Sequence, residues 1–210
     1  MTTAPTRAGV FDRDFFQNDA VTVAPQLLGA LLSHESEDGV VTVRITEVEA
    51  YLGDGTDPGS HAFRGKTARN AVMFGEPGHF YAYFSYGMHV CGNVVCSPNG
   101  HASGVLLRGA EVVDGIELAR ARRGPKVRDR DLARGPARLV VSTGIALTDN
   151  GVDLLTPPFQ LRMPPAPVSI STGPRTGVGG PGGGSAYPWR FWITGDPFVS
   201  PYKRSPRASE

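Results

Sequence analysis

Cysteine is nearly absent from this chain: Cys91 and Cys96 are the only two among 210 residues. Two cysteines make no disulfide framework, which excludes a disulfide-stapled secreted scaffold, and a reducing, cytoplasmic setting is expected. Long apolar runs are missing too. None approaches the ~20 residues of a membrane span. No signal-peptide apolar block opens the sequence, so no membrane partner is expected. An excess of charge of one sign is also lacking, the formal net charge being +1. The whole molecule is no polycation, and any nucleic-acid contact must come from local clustering. Lysine is scarce, with only Lys66, Lys126 and Lys203 against 18 arginines. What the chain does have is 40% hydrophobic residues, enough over this length for one domain with a sizeable core. It also has 27 Gly and 18 Pro, which point to many turns.

The residue pattern predicts the course of the chain. Met1 to Arg7 read as a frayed terminus, and residues 1–10 as flexible. Val21, Ala24, Leu28, Leu31 and Leu32 recur at helical spacing and predict a helix from about Thr22 to Leu32, with Pro25 in its first turn. Val40 to Tyr51 reads as a strand and Leu52 to Arg69 as a polar loop. Phe80 to Phe84 and Met88 to Cys96 are two strands joined tightly at Ser85-Tyr86-Gly87. Val105 to Arg108 is a short strand. Asp114, with Glu117 three residues on, resembles a capping box opening a helix to about Arg123. Pro136 stands where a first helical position would be, and Gly144 where a C-cap would be. Gly173 to Gly184 hold seven glycines in twelve residues, so 173–186 is a loop, and Trp189 to Ile193 is a last strand. The fold class is α+β, a single domain over 1–210 with mostly antiparallel strands.

Three groups of residues are candidates for chemistry. Val41, Val43 and Ile45 are followed at the same parity by Glu47 and Glu49, so both carboxylates lie on the core-facing side of their own strand. A buried carboxylate is costly unless paired or used. One of them could be a general base acting on water; the plainer alternative is two solvent-facing glutamates on an edge strand. Tyr81 and Tyr83 share one face of their strand, and Phe80, Ala82 and Phe84 the other, which reads as core. Tyr86 falls at the hairpin tip, where an aromatic ring suits wedging between bases; packing within the hairpin is the alternative. Arg120 to Arg138 carries eight basic residues against Asp129 and Asp131. Phosphate contact is one reading, a solvated helix face the other. A zinc set of His89, Cys91, Cys96 and His101 lacks the usual spacing, and strand parity points Cys96 away from His89 and Cys91. No metal and no cofactor are expected.

Together these segments resemble the alkyladenine (3-methyladenine) DNA glycosylase family, of the type found in animals and many bacteria. The matching residues are Glu47-Val48-Glu49-Ala50-Tyr51, His61, Arg69-Asn70, Met73-Phe74, Pro77-Gly78, Tyr81-Ala82-Tyr83, Tyr86-Gly87-Met88, Asn93-Val94, Leu106-Leu107-Arg108, Gly135-Pro136-Ala137-Arg138-Leu139 and Trp189-Arg190-Phe191, spread from Phe15 to Ser200. The resemblance implies a mixed α/β domain whose curved antiparallel sheet carries a protruding hairpin that intercalates into DNA. It implies that Glu49 activates the attacking water, with Arg108 near that water and the phosphate of the flipped nucleotide. Tyr51 is then the aromatic on one face of the flipped base, with His61 and Tyr83 on the other. Tyr86 fills the gap left in the duplex, and Asn93 crowds the exocyclic amine of guanine. Arg138, where a lysine is common in the family, and Arg134 meet the DNA backbone. The glycine run near 173–184 replaces a stretch that is more acidic and helical in many bacterial relatives.

The implied activity is excision of alkylated or deaminated purines from double-stranded DNA by a monomer in the bacterial cytoplasm, at the nucleoid in use. A base inside a duplex is out of reach, so it must be flipped out. Alkylation at N3 or N7 makes the purine cationic and a better leaving group, whereas hypoxanthine would also need a proton. A lyase step needs an amine nucleophile, and none of the three lysines falls in the motifs, so a monofunctional glycosylase is expected. The competing readings are a nucleic-acid-binding module without catalysis and a hydrolase of free nucleosides.

Overall fold

The computed structural model describes residues 9–85 and 87–210. Its centre is one eight-stranded sheet in which every strand pair is antiparallel. Its strands are β1 (Leu31–Ser36), β2 (Gly39–Leu52), β3 (Phe80–Ser85), β4 (His89–Cys96), β5 (Ser103–Asp114), β6 (Phe159–Arg162), β7 (Ile170–Gly173) and β8 (Arg190–Ile193). The main path runs β3-β4-β5-β2-β1-β6, while β8 joins β2 and carries β7. The long strand β2 is the organiser. Its first half pairs with β1, Glu47 to Glu49 pair with β8, and β5 runs along its other edge.

One face of this sheet holds the main core. Val41, Val43, Ile45, Val48 and Ala50 of β2 meet Phe80 and Ala82 of β3, Val94 and Cys96 of β4, and Val105, Leu107, Ala110 and Val112 of β5. Helices α2 (Ile116–Arg123) and α3 (Pro136–Thr143) close over it with Ala119, Leu139 and Val140. Pro136 opens α3, and Gly144 ends it in the left-handed conformation (φ 73°), as the sequence predicts. α2 differs from expectation. Its N-cap is Gly115 in the left-handed region (φ 72°), and the Asp114 carboxylate accepts from the Gly115 N–H instead of capping the first turn.

The predicted helix over Thr22 to Leu32 is not formed. A single α-turn, α1 (Ala20–Val23), opened by the Asp19 side chain, passes into a 3-10 turn over Ala24–Leu27. Gly29 then turns the chain at φ 84°, and Leu31 begins β1. Leu31 and Leu32 have two strand neighbours, β2 and β6, whose ladders a helix would forgo. The predicted short strand at Val105 to Arg108 is part of the longer β5. Gly9 and Val10, expected to be flexible, are tied to the sheet: Gly9 accepts from the Met163 N–H at 2.8 Å, and Val10 bridges to Arg162. Among the described residues no helix is long and apolar enough to cross a membrane.

The β2–β5 pairing is irregular where it matters. The register shifts between Ile45 and Glu47 and again between Glu47 and Val48. Ile45 and Val48, three apart, therefore both face the main core, as do Leu107 and Ala110 opposite. A β-bulge does this by adding a residue and turning the side chains after it over. The core-facing parity expected for Glu47 and Glu49 is thus corrected. Both are fully buried, but on the opposite face, with Arg108.

Candidate active site

Two neighbouring glutamates have separate tasks. Oε1 of Glu47 accepts from Nε of Arg108 at 2.9 Å and Nε of Arg190 at 2.6 Å, and its Oε2 accepts from the Ser200 N–H at 2.7 Å. Glu47 is a closed structural hub. Glu49 instead reaches a cleft of about 600 Å³. Its Oε2 accepts from the Tyr51 hydroxyl at 2.8 Å and its Oε1 from the Thr176 N–H at 2.7 Å. Nε of Arg108 stands 3.4 Å from Glu49 Oε1. Burial alone would lower the pKa of Arg108, but Glu49 and Glu47 outweigh it and raise it, so the guanidinium stays charged.

The cleft gathers most of the residues singled out in the sequence: Glu49, Tyr51, His61, Tyr83, Asn93 and Arg108 all line it. Burial first, then the Glu49 charge, pushes the Tyr51 phenol well up, so it remains a donor to the carboxylate. Tyr83 is likewise pushed up by burial, and its ring meets the His61 ring edge-on at 4.6 Å between centres. His61 stands at the exposed mouth, where crowding by its surroundings, and then Arg69, lowers its pKa. Asn93 faces the cleft from β4, and its Nδ2 donates to the Tyr81 carbonyl at 3.1 Å.

Other expectations fare differently. Tyr86 lies outside the described residues; beside it, the hairpin leaves Phe84 and Met88 exposed. Most of the arginine-rich stretch is engaged within the protein. Arg120 pairs with Asp129 and Glu117, Arg128 with Asp131, and Nε of Arg134 donates to the Val199 carbonyl at 2.7 Å. Arg138 is exposed and has no carboxylate partner among the described residues. The four residues weighed for zinc are dispersed. Cys91 borders the cleft with its thiol pushed up by burial, Cys96 is in the core, His89 is exposed, and His101 lies 3.4 Å from Asp54.

The glycine-rich segment, expected only as a loop, forms one wall of the site through Thr176, Gly177, Val178 and Gly179. Its glycines serve close approach: a Cβ on Gly182 would lie 2.4 Å from the Gly59 nitrogen, and one on Gly183 2.0 Å from the Val178 carbonyl oxygen. Arg175, a charged residue among glycines, was the available signal. It is fully buried against Asp57.

The cleft is lined by the Tyr51, Tyr83 and His61 rings together with the buried Glu49 carboxylate and the Arg108 guanidinium. It can hold a planar base and activate water beside it. Known proteins resemble this chain over most of its length. A family model described as methylpurine-DNA glycosylase matches residues 14–197. A Leifsonia xyli subsp. xyli protein named "Putative 3-methyladenine DNA glycosylase" is 64% identical over 198 residues, covering 92% of this chain and 93% of its own. Proteins of the same name are 50% identical in Streptomyces avermitilis, covering 97% of this chain and 96% of their own length, and 49% identical in Nocardia farcinica, covering 90% of each.

Proposed function

The chain belongs to the methylpurine-DNA glycosylase family, and from that premise we propose how it works and on which bases. It is a monofunctional DNA glycosylase of DNA repair, a hydrolase of N-glycosyl bonds in DNA. The proposal is that it flips alkylated or deaminated purines, of the 3-methyladenine, 7-methylguanine and hypoxanthine type, out of duplex DNA. Glu49 takes a proton from water, and the water oxygen bonds to the sugar C1′ as the bond from C1′ to the base nitrogen breaks; the base leaves with that electron pair, and an abasic site remains. The observation that carries this reading is the pair of hydrogen bonds that fix Glu49. The Tyr51 hydroxyl and the Thr176 N–H orient the carboxylate toward the cleft.

The remaining roles are proposed with it. The base stacks between Tyr51 and the Tyr83–His61 pair, and a cationic base gains ~0.5–2 kcal/mol of cation–π attraction over a neutral one. As the bond breaks, the sugar becomes positive, and the Glu49 carboxylate stabilises it. In this reading Arg108, anchored on Glu47, orders the water and the nucleotide phosphate. Asn93 rejects guanine through its exocyclic amine, Tyr86 holds the duplex open, and Arg138, with Arg134 beside it, meets the backbone. The enzyme acts as a monomer in the cytoplasm, where a bacterial chromosome is reached directly.

The test is Glu49→Gln on duplexes carrying one lesion each. Loss of the base typically costs ~10²–10⁴-fold in rate, so release should fall that far while lesion DNA still binds. Wild-type turnover by the Gln variant would overturn the assignment and favour another general base, whereas binding without base release by the unmutated protein would favour a binding module.

A further inference from the structure

Arg175 heads the fully buried side chains by size, and the mechanism above gives it no task. Tyr51 lines the cleft and Arg175 does not. The guanidinium lies over the Tyr51 ring, 4.5 Å from its centre. Nη1 and Nη2 donate to the two oxygens of Asp57 at 2.6 Å each. The Ala50 and Gly182 carbonyls take further N–H groups at 2.9 and 2.7 Å. The Trp189 and Tyr187 rings lie 5.3 and 5.9 Å away. A Cβ on Gly59 would come within 2.5 Å of Nη2, so the backbone is shaped around this group. A desolvated ion pair often holds a fold no better than apolar residues of the same volume. Holding the loop is therefore a poor reason for a charge here.

We propose that Arg175 is a positioning residue that acts through Tyr51 to set the balance between cationic and neutral lesion bases. The inference rests on the reading of Tyr51 as a stacking face. A base in the cleft meets the Tyr51 ring with the Arg175 charge behind it. An alkylated, cationic purine is drawn to the ring but repelled by Arg175 through it. A neutral purine such as hypoxanthine feels little of that repulsion. The dry surroundings of Arg175 keep its field from being screened. Asp57 offsets part of the charge. The pair thus tempers the preference of an aromatic site for cations and widens it toward neutral bases.

The experiment measures single-turnover release of 7-methylguanine and of hypoxanthine from duplexes of one sequence context, on protein checked for folding by circular dichroism. The readout is the ratio of the two rates. Asp57→Asn keeps the size of the side chain, turns one of its two acceptors into a donor facing Arg175, and unmasks the Arg175 charge, so the ratio of cationic to neutral release should fall roughly threefold, the scale of one modest cation–π term. The double variant Arg175→Met with Asp57→Leu removes both charges without orphaning either, and the ratio should rise by a similar factor. Arg175→Lys keeps the charge and should stay near the wild-type ratio. A merely structural role would lower both rates together. A ratio that does not move, or moves the same way in both charge variants, overturns the proposal. Should the double variant not fold, Asp57→Asn against Arg175→Lys decides by the same sign. Release of neither base by the wild type would overturn the function reading as well, which distinguishes the two failures.

Discussion

Nε of Arg190 lies 2.6 Å from Oε1 of Glu47, and both side chains are closed off from solvent. Arg108 meets the same oxygen at 2.9 Å, so one carboxylate holds two arginines from two strands. This separates the two glutamates of β2 by their surroundings. Glu47 ties β5, β8 and the Ser200 segment together, while Glu49 looks into the cleft.

Glu47→Gln should therefore be a stability variant. Removing one partner of a buried ion pair typically costs ~3–5 kcal/mol, and each kcal/mol lowers the melting temperature by roughly 2–4 °C in a protein of this size. A fall of roughly 6–20 °C is expected by calorimetry. Glu49→Gln should melt much closer to wild type, because the amide oxygen can still accept from the Thr176 N–H while the amide NH2 donates to the Tyr51 hydroxyl, and Arg108 keeps its bond to Glu47. Equal melting temperatures for the two variants would contradict this division.

His61 gives the pH dependence. Its pKa is lowered by its crowded surroundings and then by Arg69, so the folded protein prefers the neutral ring. Any stability linked to that preference is present above the ordinary histidine value of ~6.5 and is lost as pH falls through the lower folded value. In the cleft, the protonated ring adds a positive charge beside a cationic base. The ratio of 7-methylguanine to hypoxanthine release should thus fall as pH drops below ~6.5. His61→Gln should flatten that component. A profile identical in the variant would place the titration elsewhere.

The legible part of the site was its chemistry, and the illegible part was its surroundings. Tyr81 and Tyr83 against Phe80 and Ala82 could be assigned to faces because β3 and β4 pair without a bulge. Glu47 and Glu49 could be recognised as buried but not placed on the right face. Bulges at Thr46 and Arg108 invert the parity, and they depend on two strands far apart in sequence. Leu28, Leu31 and Leu32 fit a helix locally, but Leu31 and Leu32 pair with β2 and β6 across the sheet, and the Leu28 N–H closes a turn onto the Pro25 carbonyl. The glycine run read as an unspecific loop, because close approach to Gly59 and Val178 leaves no pattern along the chain.

The last prediction concerns rejection of normal bases and rests on Asn93. Undamaged purines vastly outnumber lesions, so excluding them matters as much as binding the lesion. Guanine differs from hypoxanthine by one exocyclic amino group. A side chain fixed against that edge rejects guanine by a clash, or by leaving a polar group without a partner. Asn93 is buried in the cleft wall, and its own amide is tethered to the Tyr81 carbonyl at 3.1 Å. A tethered amide yields less easily to an approaching amine than a free one. Asn93→Ala and Asn93→Ser remove both the bulk and the tether. In either variant, release of guanine relative to hypoxanthine should rise; one such contact is worth ~1–3 kcal/mol, which corresponds to roughly 5–150-fold. Both rates are measured in the same sequence context on folded protein. An unchanged ratio would make Asn93 a residue of the sheet alone, and selectivity would then lie in the leaving-group chemistry of the damaged base.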